Sequence, residues 1–169
     1  MRKRIFTLFL ALAMVFGAGI YADNAMATDV PLSGSGTEES PYLIPDLAAL
    51  EAFRDSVNNG ESYEGKFVQL TADIDLSAKY GEGKANWTPI GGFTASYVGG
   101  EYDLQKFPFS GIFDGGGHKI NGLYYYNDID DDANVGESIG FFGDVTGTVK
   151  NLAVTGTITL PKFYNSVIG

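Results

Sequence analysis

The chain has 169 residues, with 11 Lys and Arg against 21 Asp and Glu, a formal net charge of −10, no cysteine and a single histidine. That balance speaks against binding DNA or RNA, which draws on clustered Lys and Arg. It excludes disulfides and cysteine-linked lipid anchors outright, and leaves a two-histidine catalytic metal centre without its ligands.

The first 27 residues read as a secretory signal peptide. Arg2, Lys3 and Arg4 form a basic start, Ile5 to Tyr21 is an apolar run, and Ala25-Met26-Ala27 is a small-x-small cleavage site. The apolar run is short for a membrane span and is closed by Asp23 and Asn24, so no membrane insertion is expected once the leader is cleaved. Residues 28–40 are polar and rich in Gly and Ser, which predicts a flexible lead.

Residues 41–169 are expected to form one domain. Pro41 to Ile44 reads as a short strand. Leu47, Leu50, Phe53 and Val57 then recur at helical spacing, with Asp46 able to cap the start and Asn58-Asn59-Gly60 to end it, which predicts a helix over about 46–58. From Phe67 to Leu76 the pattern alternates, placing Val68, Leu70, Ile74 and Leu76 on one side. Tyr80 to Ala85 is a loop, and Trp87, Pro89 and Ile90 return the chain to the core. Phe93 to Lys106 and Asn127 to Glu137 match nothing else in the chain and read as insertions, where function tends to sit.

From Phe107 onward a pattern recurs. Laid without a gap over Gly140 to Val154, the segment Gly111 to Tyr125 puts Phe113 on Phe142, Ile120 on Val149 and Leu123 on Leu152. Gly111, Gly140 and Gly169 fall 29 residues apart. Gly122 falls on Asn151, and these residue types best tolerate positive φ. Short apolar runs broken by Gly, Asn and Thr at a fixed period predict an all-β fold, a right-handed parallel β-helix (solenoid) with a short N-terminal capping α-helix and the matched residues stacked in columns. Val167-Ile168-Gly169 would begin a further coil, so self-association through an open C-terminal end is expected.

The ordered series of these segments resembles a known family. Ser138-Ile139-Gly140-Phe141-Phe142-Gly143 with Gly147 to Gly156 looks like the repeat of GLUG-motif bacterial surface and adhesin-like proteins. Phe109 to Tyr126 looks like the coil before it, and the stretches from Gly34, Lys66 and Asn86 are similar to that family's run-in. The resemblance implies a β-helix at the cell surface, and names no ligand.

Several constellations carry candidate chemistry. Asp128, Asp130 and Asp132, with Glu137 nearby, have the alternation of a calcium loop, but Ala133 stands where the glycine turn belongs and Ile139 where the bidentate glutamate belongs. Asp114-Gly115-Gly116-Gly117-His118 lacks the Gly-Lys-Ser/Thr of a phosphate loop and reads as a glycine-rich corner with an outward histidine. Asp73 and Asp75 flank Ile74 and are expected to face outward at glycosidase-like separation, without further carboxylate partners. Tyr124, Tyr125 and Tyr126 should send one ring inward. Asn86-Trp87-Thr88 is a glycosylation sequon in which Trp87 is better read as a core anchor. No catalytic residue, metal ligand or cofactor is assigned. The expected function is a secreted or cell-surface, non-enzymatic adhesion or binding module for an extracellular glycan or protein, with no nucleic-acid partner. The alternatives are a carbohydrate-active lyase or glycosidase and a spacer arm of a larger secreted enzyme.

Overall fold

The computed structural model of the chain describes residues 32–98, 100–126 and 139–159; at 94–98, 102 and 103 it describes the backbone alone. The predicted leader (1–27), the acidic loop with Asp128, Asp130, Asp132 and Glu137, and Val167 to Gly169 lie outside these residues.

Two parallel sheets form the body. One holds β1 (Tyr42–Ile44), β2 (Phe67–Leu70), β6 (Ile112–Asp114) and β8 (Thr148–Lys150), in that order. The other holds β3 (Ile74–Asp75), β7 (Lys119–Tyr126) and β9 (Ala153–Thr159). Each strand of the second sheet follows, through a short corner, a strand of the first. Between them run helix α1 (Leu47–Asn58), the single turn α2 (Ser77–Tyr80) and an antiparallel hairpin, β4 (Gly92–Val98) with β5 (Glu101–Phe107).

This corrects the sequence-based fold. The chain is not an all-β right-handed parallel β-helix: small parallel and antiparallel sheets coexist, and the helix is part of the core. Ala49, Leu50, Phe53 and Val57 of α1 are buried, and the Phe53 ring meets Tyr63, Phe109 and Phe113 at centroid distances of 5.0, 5.5 and 5.7 Å. The 46–58 stretch is helical for the reasons its sequence suggests. Asp46 accepts the Ala49 N–H at 2.9 Å as N-cap, and one face is apolar.

The gapless 29-residue alignment is also corrected. Phe113 stands beside Val149, with Val68 on its other side, so this sheet steps by 36 residues from β6 to β8. Ile120 stands beside Val154 and Leu123 beside Gly156, with a bulge between, so the second sheet steps by 34 and then 33. The Gly115–His118 corner is longer than the Asn151–Leu152 corner, and the bulge at Gly122 consumes one more residue. An alignment without gaps cannot see either. Phe142 instead bridges Ile90 and packs edge-on to Phe113 at 5.3 Å. Gly122 (φ 72°) and Asn151 (φ 53°) do both adopt positive φ, one at the bulge and the other at a corner.

The hairpin is what the Phe93 to Lys106 insertion becomes. Two alternating runs joined by Gly99-Gly100 carry a hairpin signal that the irregular-insertion reading missed. Residues 32–40 differ from a flexible lead as well: Ser33 bridges Leu43 and its carbonyl accepts the Leu43 N–H at 2.9 Å, folding the segment back along β1.

Asparagine amides tie the irregular segments down by imitating strand pairing. Asn58, at the end of α1, donates to the Pro89 carbonyl (3.0 Å) and accepts from the Gly91 N–H (2.8 Å). Asn86 makes the same pair of bonds to the Tyr126 backbone, at 2.9 and 3.1 Å. Trp87 is the core anchor expected of it, 1% exposed, stacked on Phe141 at 5.4 Å and covered by the Arg54 guanidinium at 4.8 Å.

Because Phe53 meets rings from three separate segments, Phe53→Ala should cost about 3–5 kcal/mol of unfolding free energy in denaturant titration. Leu104→Ala, on the exposed hairpin, should stay within about 0.5 kcal/mol of the parent. Equal effects at the two positions would show that α1 lies outside the core.

Candidate functional site

The parallel register brings three corners to one side of the molecule: Thr71–Asp73 between β2 and β3, Gly115–His118 between β6 and β7, and Asn151–Leu152 between β8 and β9. Asp73 and His118, 45 residues apart in sequence, meet here. The Asp73 carboxylate lies 3.2 Å from His118 Nδ1, accepts the Lys119 N–H at 3.1 Å and has Lys119 Nζ at 3.9 Å. Asp114 accepts from the Gly116 N–H (2.9 Å) and Asn151 Nδ2 (3.0 Å), with Lys150 Nζ at 3.4 Å. Gly115 is needed for this approach, since a side chain there would run into the backbone of Asn151 and Leu152.

Asp114, Gly116, Gly117, His118, Asn151 and Leu152 line a shallow, open depression. It holds an aspartate and an imidazole, and among the described residues no serine, threonine or cysteine lines it that they could activate. The carboxylates are already committed. The Lys119 N–H hydrogen bond, then the His118 contact, holds Asp73 below the ordinary carboxylate range. The Gly116 N–H and the Asn151 amide do the same for Asp114. Asp75, predicted to face outward with Asp73, accepts the Ser77 N–H at 2.8 Å just before α2, and its pKa is lowered for that reason. Both carboxylates thus brace backbone N–H groups at the ends of β3 and β7. Among the described residues no group of three metal-ligating side chains converges.

A second hollow, of about 410 Å³, opens at the base of the hairpin, between Asn58, Trp87, Phe93, Phe107 and Tyr125. Among the described residues its lining includes no charged side chain, in a chain of net charge −10. Phe93 is 37% exposed and Phe107 half-buried, so both rings are reachable, whereas the Trp87 faces are covered. Of the three tyrosines, Tyr125 turns inward and Tyr126 stays exposed, as alternation requires. The hollow had no motif to announce it, because its walls come from the end of α1, the Asn86–Gly91 run and both hairpin feet.

Two relatives match the chain. A protein of Evansella cellulosilytica described as a Gly-rich membrane protein is 32% identical over 150 residues, which is 88% of this chain and 15% of that protein. Halomucin of Haloquadratum walsbyi is 32% identical over 141 residues, 79% of this chain and 1% of halomucin. The chain therefore spans a small part of either relative. No family model matches it, and no solved structure does. Among the described residues no helix is long and apolar enough to cross a membrane.

The corner braces set an acid limit. Asp73, Asp75 and Asp114 have folded-state pKa values below their unfolded ones, so their contribution is complete above the unfolded value of about 3.9 and disappears as pH falls through the lowered folded values. The melting temperature should be flat above about pH 5 and fall below about pH 4. The triple variant D73N/D75N/D114N should melt lower at neutral pH with a shallower acid limb; parallel curves for the two proteins would dismiss the braces.

Proposed function

We propose that this chain is an exported, surface- or membrane-associated binding module without catalytic activity, and that its hairpin side carries the recognition. The observation that carries this reading is the pair of relatives. One is described as a Gly-rich membrane protein and the other is named halomucin, and in each the matching segment is a small part of a far longer chain. The leader-like first 27 residues, the acidic balance and the resemblance of Gly140 to Gly156 to the GLUG-type repeat point the same way. So does the chemistry of the corner, where each carboxylate is already held by hydrogen-bond donors.

The recognised partner is an extracellular glycan or protein. The hairpin foot suits a neutral sugar: Phe93 and Phe107 offer apolar rings, the exposed Thr88 offers a polar contact, and among the described residues no lining charge has to be desolvated.

Expression in a bacterial host with a C-terminal epitope tag tests the location. The tag should be found outside intact cells, where added protease removes it, and retention in the cytoplasm would contradict the reading. Incubated with plant and host polysaccharides, the purified protein should bind a subset of them and release neither reducing ends nor unsaturated products. Gly92 and Phe107 are paired at the hairpin foot, so replacing residues 93–106 by a short Gly-Ser link should abolish binding while the melting transition persists. Product release by the intact chain would assign it to the enzymes instead.

A further inference from the structure

Strand β9 is the last of its sheet, with β7 on one side and no described strand on the other. All seven of its residues are exposed. Val154 and Ile158, 39% and 47% exposed, stand beside the buried Ile120 and Tyr125, so the apolar face that is covered in β7 is left uncovered in β9. Natural edge strands are guarded by charge, proline or a bulge that spoils pairing. β9 has no charge and no proline, and from Thr148 to Thr159 the sole charged residue is Lys150. In a chain of net charge −10 this is a stretch where two copies can approach without opposing carboxylates.

The sequence of β9 is nearly symmetric about its central residue: Ala153-Val154-Thr155-Gly156-Thr157-Ile158-Thr159. Laid antiparallel on itself with Gly156 opposite Gly156, it places Val154 across from Ile158 of a second copy, twice, and Thr155 across from Thr157, twice. Apolar β-branched pairs and threonine pairs are favourable cross-strand neighbours. We propose that β9 pairs antiparallel with β9 of a second copy, centred on Gly156, joining the two three-stranded sheets into one of six strands.

The rest of the molecule favours this closed contact over a growing stack. At the far end of the first sheet, the edge of β1 is occupied by the returning segment at Ser33. At the far end of the β9 sheet, β3 offers two residues and carries Asp75. A head-to-tail contact would set seven residues against two, whereas the self-matching contact closes at two copies. The seven residues of β9 fall well short of the roughly 20–30 per side in a standard interface, so the dimer should be weak and concentration-dependent. This inference does not rest on the surface-module reading.

Sedimentation equilibrium of the exported chain from about 1 to about 100 µM should fit a monomer–dimer equilibrium. Val154→Lys and Ile158→Lys should each weaken the dimer at least tenfold or so, by setting a charge against an apolar partner, while Leu104→Lys on the hairpin should leave it unchanged. Thr155 directs its hydroxyl to Asn121 at 3.1 Å and so lies on the outer face. The double variant T155C/T157C should therefore form a covalent dimer on mild oxidation, which also decides the matter if a lysine variant fails to fold. A monomer throughout the range, equal effects of Ile158→Lys and Leu104→Lys, or no covalent dimer from the cysteine pair would overturn the proposal.

Discussion

The structure depends on one constraint: a parallel register kept through the corners, so that Val68, Phe113 and Val149 lie side by side in one sheet while Ile74, Ile120 and Val154 lie side by side in the other. Parallel strands cannot be joined by a tight turn, and each neighbour must come from a distant part of the chain. In the first sheet α1 packs on this apolar face, its Phe53 reaching Phe113 and Phe109 together, while Val149 and Val154 at the last strands stay exposed. Burial of several aromatic rings at one point supplies the main driving force, and the ladder hydrogen bonds set the alignment.

From that register the polar corner follows. Backbone N–H groups that leave the ladder at each corner need acceptors, and Asp73, Asp75 and Asp114 supply them. The same geometry carries Lys119 and Lys150 alongside, so the corner is close to neutral within an acidic protein. A carboxylate spent in this way stays ionised and fixed. That suits a brace and disfavours a general acid, which needs a raised pKa. The Arg54 network works similarly: its guanidinium covers Trp87 and donates to the Tyr80 hydroxyl, which donates to Glu51 at 2.6 Å.

How much of this could be read from the chain varied with the range of the interaction. The amphipathic helix was legible because Leu50, Phe53 and Val57 report a local period, and β2 because Val68 and Leu70 alternate. The register was not legible, since it depends on how many residues each corner consumes, and Gly122 and the Gly115–His118 corner each alter that count. The β-helix expectation failed for the same reason, together with treating α1 as a cover instead of core. The pairing of Asp73 with His118 is a product of register and therefore escaped too. The hairpin was within reach, because Gly99-Gly100 between two alternating runs is a local signal.

The register is thus what the braces, the hairpin foot and the exposed β9 edge have in common, and it can be measured directly. In isotope-labelled protein, backbone nuclear Overhauser contacts between β6 and β8 should join Phe113 to Val149 and Ile112 to Thr148, with Ile120 joined to Val154 in the neighbouring sheet. A pattern that paired the Phe113 backbone with Phe142 and Ile120 with Val149 would restore the 29-residue step and contradict the account.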